Sequence, residues 1–133
     1  MTFLYLQVPE LLVLMAKDVP ALVDPRNPET ARVFLEYVPN DILRNEAGWT
    51  ALVYGLRGGS DIQANARNQI YDKNVVIGVV SNLSRSAREA DELFYRRCIE
   101  EKRVTRISAE TTEWDETLKL LRVNRFITIR ART

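Results

Sequence analysis

Tyr71-Asp-Lys-Asn-Val-Val-Ile-Gly-Val-Val-Ser81, then Ser84-Arg-Ser-Ala-Arg-Glu-Ala-Asp-Glu-Leu-Phe-Tyr-Arg-Arg-Cys98, then Leu120-Leu-Arg-Val-Asn-Arg-Phe-Ile-Thr-Ile-Arg130 decide the fold. In the first run Tyr71, Val75, Ile77 and Val79 share one face and Val76 and Val80 the other, as expected of a strand buried on both sides. In the second, Ala87, Ala90, Leu93, Phe94 and Cys98 recur at helical spacing, and Arg88, Asp91, Glu92, Arg96, Glu100 and Arg103 are assigned to the outer face. Ser86 and Glu89 have the spacing of a capping box, which places this helix near residues 86–103. In the third, Leu121, Val123, Ile127 and Ile129 alternate with Arg122, Asn124, Thr128 and Arg130, the pattern of a strand with one packed and one wet face.

Upstream, Pro9 and Glu10 suit the first turn of a helix, and Val8, Leu11, Leu12 and Met15 continue it at helical spacing towards Lys17. Pro20, Pro25 and Pro28 make the next segment a connector. Strands are expected over Arg32–Val38, with Val33, Leu35 and Tyr37 on one face, and over Trp49–Leu56. Arg57–Asn68, with Gly58, Gly59, Ser60 and Asp61, reads as a long surface loop or a hairpin tip. Val104–Ser108 precedes an acidic turn through Glu110, Glu113, Asp115 and Glu116. The expected architecture is a single α+β domain over residues 1–133, with a mostly antiparallel sheet flanked by the N-terminal helix and the helix near 86–103.

A chain of 133 residues is long enough to bury a core without disulfides or metals. Nineteen basic and 18 acidic residues leave a formal charge of +1, so there is no global attraction to nucleic acid or to acidic membranes. The apolar start, Met1–Leu14, lacks a basic leader and is interrupted by Gln7, Pro9 and Glu10, so neither a signal peptide nor a membrane span is expected.

The chain has no histidine and one cysteine. Cys98, on the apolar stripe of a helix and without an imidazole to activate it, reads as a small core residue rather than a nucleophile. Glu113, Asp115 and Glu116 lack the spacing of a calcium loop and read as a solvated acidic segment. Arg57-Gly-Gly-Ser60 can form an anion-binding nest but lacks the Lys-Ser or Lys-Thr of a phosphate loop. No catalytic, metal or cofactor residues are assigned.

Fifteen arginines against four lysines favour planar, bidentate pairing at surfaces. From Thr117 to Thr133 there are five basic residues, Lys119, Arg122, Arg125, Arg130 and Arg132, and no acid. Opposed acidic and basic patches on one protomer suit a head-to-tail interface, although solvated surface charge explains them equally well.

The element order, the helix introduced by Ser-Arg-Ser-Ala-Arg-Glu-Ala and the closing strand Leu-Leu-Arg-Val-Asn-Arg-Phe-Ile-Thr-Ile resemble the tail-terminator, or tail-completion, proteins of long-tailed bacteriophages. The resemblance lies in topology, size and element character over nearly the whole chain. It implies a non-enzymatic virion protein that forms a homomeric, usually hexameric, ring on the last ring of the tail tube. Such a ring stops tube growth and presents the surface that docks a head-completion or connector protein. DNA passes through it without sequence-specific binding, no membrane or cofactor is involved, and assembly takes place in the host cytoplasm before the ring becomes part of the virion tail or neck. The interface candidates are Arg57, Gly58, Gly59, Ser60, Asp61, Glu113, Asp115, Glu116, Arg122, Arg130 and Arg132. Another neck or connector component, or a small nucleic-acid-binding module using the C-terminal arginines on phosphates, is the alternative.

Overall fold

The computed structural model describes residues 5–45, 47–63 and 70–132, with the backbone alone described at 45 and 58–63. Along the chain lie α1 (Val8–Ala16), a short 3-10 turn (Pro20–Leu22), β1 (Val33–Leu35), α2 (Asn40–Asn45), β2 (Thr50–Gln63), β3 (Ile70–Ser81), α3 (Ser84–Glu100), β4 (Val104–Ile107), β5 (Thr111–Asp115) and β6 (Leu120–Arg132). The strands form one sheet in the order β1-β2-β3-β6-β4, with β5 paired to the same side of β6 beyond β4. Only the β1–β2 pairing is parallel. This is the expected α+β architecture, with β3 at its centre.

The sheet has two unlike faces. Against one lie α1 and α3, and between them and the sheet is the main core: Leu11, Leu12 and Met15 from α1, Val75, Ile77 and Val79 from β3, Phe94 and Cys98 from α3, and Val123, Ile127 and Ile129 from β6. Phe94 is wholly buried. The spacing of Val8, Leu11, Leu12 and Met15 puts all four on one side of α1, so a nine-residue helix that would be marginal alone is held by packing. Against the other face, among the described residues, only the short α2 packs, at one end, closing a smaller cluster of Ile42, Trp49, Ala51, Val53, Val80 and Leu120.

Several sequence expectations are corrected. Residues 57–63 are not loop: β2 continues through them, with Gly59, Ser60 and Asp61 opposite Lys73, Asp72 and Tyr71. A register shift between Leu56 and Gly59 absorbs the glycines. Pairing to β3, itself braced by β6 as far as Arg132, overrides the weak strand propensity of this polar stretch. The extended ladder also replaces the anion nest. Residues 64–68, the rest of the expected loop, lie outside the described residues.

The acidic segment is likewise a strand, not a turn. Thr111, Thr112 and Trp114 favour extended backbone, and β5 pairs Glu113 with Arg122 and Asp115 with Leu120. The turn is 116–119, closed by Lys119 at φ 55. At the other edge β1 stops at Leu35 because Glu36 turns left-handed, at φ 68, which removes Tyr37 from the strand.

α3 begins two residues earlier than the capping-box reading, with Leu83 at its N-cap. The Leu83 N–H donates to Ser81 Oγ at 3.0 Å, while the Ser86 hydroxyl pairs with Thr50 Oγ1 at 2.8 Å and Glu89 accepts from Arg85 at 3.0 Å. Ser86 thus ties the helix to β2 instead of capping it. Ser81 Oγ also donates to the Trp49 carbonyl at 2.6 Å and accepts from Thr50 Oγ1 at 3.0 Å, so three segments meet at one buried hydroxyl.

Candidate interaction surface

Side chains on the helix-covered face are used up internally. Asp91, assigned to the outer face of its helix by sequence, is buried and receives a bidentate guanidinium from Arg125: Nε to Oδ1 at 3.0 Å and Nη2 to Oδ2 at 2.9 Å. Arg125 also donates to the Ser108 carbonyl at 3.1 Å and stacks on Tyr95 at 4.2 Å. Asp91 and Tyr95 both belong to α3, so the pair fastens α3 to β6 and is not available to a partner. Near the other end of α3, Glu101 accepts from Arg97 at 3.1 Å and from Arg103, and Arg97 reaches Asp18 at 2.7 Å. Burial pushes the Glu101 carboxyl up, but the hydrogen bonds and charges of the two arginines outweigh it and hold the group below the usual carboxylate range. Burial raises the Cys98 thiol to about 12, so it stays protonated and unreactive at neutral pH.

On the opposite face, alternation along β6 presents Arg122, Asn124, Phe126, Thr128 and Arg130, and β3 presents Asn74, Val76, Gly78 and Val80 beside them. Two glycines let polar side chains lie flat on this surface. A methyl group at Gly78 would stand 2.7 Å from Asn124 Oδ1 and 2.9 Å from Arg122 Nε, two atoms that are themselves hydrogen-bonded at 2.8 Å. At Gly55 it would stand 3.0 Å from Glu36 Oε1 and 3.4 Å from Arg57 Nη1, although these two side chains close no ion pair.

Beyond the reach of α2 the face stays open. Phe126 is 61% exposed, and around it a groove of about 600 Å³ runs between Arg57 on one side and Arg106 on the other, floored by Asn74 and Thr128. Asn74 and Thr128 bond each other at 3.0 Å. Nearer α2, a smaller hollow of about 280 Å³ is lined by Val38, Leu43, Val53 and Val80 and rimmed by Tyr37, Leu118, Glu36, Asp115 and Arg122. Tyr37 and Leu118 are largely exposed there.

The interface candidates fall into three groups. Arg130 is paired with Asp72 at 3.2 Å, Arg132 with Glu10 at 3.5 Å, and Glu116 with Lys119 at 2.7 Å, all within the chain. Arg122 lies over Gly78, and Gly58, Gly59, Ser60 and Asp61 lie in the distal part of β2. Arg57, Glu113 and Asp115 are exposed and make no ion pair among the described residues. The segregation of acidic and basic segments read from the sequence is therefore absent along β6: Glu113 is the cross-strand neighbour of Arg122, and Glu110 lies 3.7 Å from Arg125. Arg106 and Phe126, which complete the groove, were not among the candidates.

Among the described residues no cluster of potential metal ligands occurs and no helix is long and apolar enough to cross a membrane. No family model matches the chain. No curated protein matches it. Among solved structures it is similar to a chain of the virion of a native gene transfer agent particle, with a TM-score of 0.46 and 15% identity over 77% of this chain and 79% of that one. A likeness of that degree is one of outline and fixes neither family nor role.

Proposed function

We propose that the chain is a structural protein of a phage-type particle, and that it assembles into a homomeric ring which caps the tail tube, ends its growth and offers the surface for head docking. The observation that carries the assembly reading is the asymmetry of the sheet. One face is closed by two helices, while the other leaves Phe126, Tyr37 and Leu118 in solvent beside arginines and carboxylates without ion pairs among the described residues. Exposed aromatic side chains grouped with arginine are enriched at protein interfaces. The tail role itself rests on the resemblance in element order and character. On this reading the chain acts by recognition, without turnover.

Particles produced without this chain are expected to show overlong tubes and unattached heads by negative-stain electron microscopy, restored when the chain is supplied. Tails of normal length joined to heads in its absence would overturn the proposal. The second reading, a nucleic-acid-binding module, gains one specific observation: Arg57 and Arg106 flank the exposed ring of Phe126, a combination that suits a phosphate backbone with a stacked base. Salt-dependent retention of labelled single-stranded DNA, lost on Arg106→Glu, is the result that reading requires.

A further inference from the structure

β5 is exposed at all five residues, an unusual state for a strand, and it forms the outer edge of the sheet beside the first half of β6. It projects Glu113 and Asp115 to the open-face side, in register with Arg122 and Leu120, while Trp114, opposite Leu121, lies half exposed on the other side. Neither carboxylate has an ion-pair partner among the described residues. The groove at the other end of the same face holds the complementary set: Arg57 and Arg106, both exposed and without an ion pair among the described residues, on either side of Phe126. The acids nearest that groove do not neutralise both cations, since Asp72 is engaged by Arg130 and Glu36 approaches Arg57 only across Gly55.

We infer that the groove between Arg57 and Arg106 receives the β5 strand of a second copy of this chain, with Glu113 and Asp115 paired to the two arginines on either side of Phe126. The occupant follows from charge and shape. The groove takes an extended segment that presents carboxylates on one side, and β5 presents Glu113 and Asp115 in that way on an edge whose outer backbone groups are unpaired among the described residues. Because groove and strand are different surfaces of one protomer, the contact is head-to-tail and repeats from copy to copy, closing a ring when the rotation allows. The inference rests on the self-assembly part of the ring proposal and supplies its contact.

The test is reciprocal charge reversal. One variant carries Arg57→Glu with Arg106→Glu, the other Glu113→Arg with Asp115→Arg, and thermal unfolding establishes that each is folded. Native mass spectrometry across a concentration series is expected to show wild-type oligomers, a shift of roughly tenfold or more towards monomer for each variant alone, and recovery when the two are mixed, because the mixture restores opposite charge at every contact. If either folded variant assembles like the wild type, or the mixture fails to recover, the inference is wrong while the ring proposal stands. Rescue in a species of only two copies would keep the contact and overturn the ring. A wild-type monomer at every concentration would overturn both. Retention of labelled single-stranded DNA that disappears in the arginine variant, with assembly unchanged, would assign the groove to nucleic acid and overturn the inference.

Discussion

The two faces of the sheet use the same residue types to opposite ends. On the helix side, Arg125 is buried, held by both oxygens of Asp91 and stacked on Tyr95. On the open side, Arg57 and Arg106 stand in solvent with no ion pair among the described residues. Phe94 is wholly enclosed, whereas Phe126 is 61% exposed. The difference separates what holds the domain together from what it has left to offer. A buried guanidinium must be satisfied within the chain or it destabilises the fold, while an exposed one carries no such demand and is free to engage a partner.

Substitutions on the helix side should therefore affect stability first. Phe94→Ala is expected to cost about 3–5 kcal/mol, since it empties the centre of the main core. Asp91→Ala should cost a comparable ~3–5 kcal/mol by leaving Arg125 buried without its counter-charge. Denaturant unfolding measures both. A loss below about 1 kcal/mol for either would mean that α3 is not anchored as described.

A smaller effect is expected at the Glu101 clasp. Its carboxyl is held low in the folded chain by Arg103 and Arg97 against the opposing effect of burial, so the folded state binds this proton less readily than the unfolded state does. The clasp contributes fully above the ordinary glutamate range of about 4.3, and the contribution fades as pH falls through that value and then through the depressed folded one. Glu101→Gln should cost about 1.5–3 kcal/mol at neutral pH by weakening charge-assisted hydrogen bonds, and it should flatten the acid limb of the stability profile. Wild type and variant with parallel acid limbs would show that Glu101 does not carry the dependence.

The smallest effect on stability, and the sharpest contrast, is expected at Phe126. Phe126→Ser removes a ring that is mostly in solvent, so unfolding should shift by no more than about 0.5 kcal/mol while self-association weakens. A loss comparable to that of Phe94→Ala would erase the distinction between the faces.

The helix side was largely legible in the sequence because alternation in β3 and β6 and the stripe of α3 each report a local period. The Asp91–Arg125 pair was legible too and was overlooked: Asp91 stands four residues after Ala87, three before Phe94 and seven before Cys98, and Arg125 falls between Val123 and Ile127 on the buried parity of its strand. A charged residue on an apolar stripe at each of two elements signals a buried pair. The Ser86 hydroxyl was misread because its bond goes to Thr50, 36 positions away. The groove lies further still from local reading, since Arg57, Asn74, Arg106 and Phe126 come from four strands and only the β2-β3-β6-β4 order brings them together. Composition suggested a loop at 57–63 and a turn at 113–115, and in both places the ladder to a neighbouring strand decided otherwise.

The central claim, that the open face and not the helical one is the surface left for assembly, is tested most directly by hydroxyl-radical footprinting of the chain at low and high concentration. Phe126 is the one phenylalanine on β6 and is exposed in the single chain. It should lose reactivity as the protein assembles, while Leu93 and Ile99 on the outer side of α3 keep theirs. Protection of Leu93 and Ile99 with Phe126 unchanged would place the contact on the helical face and contradict the account.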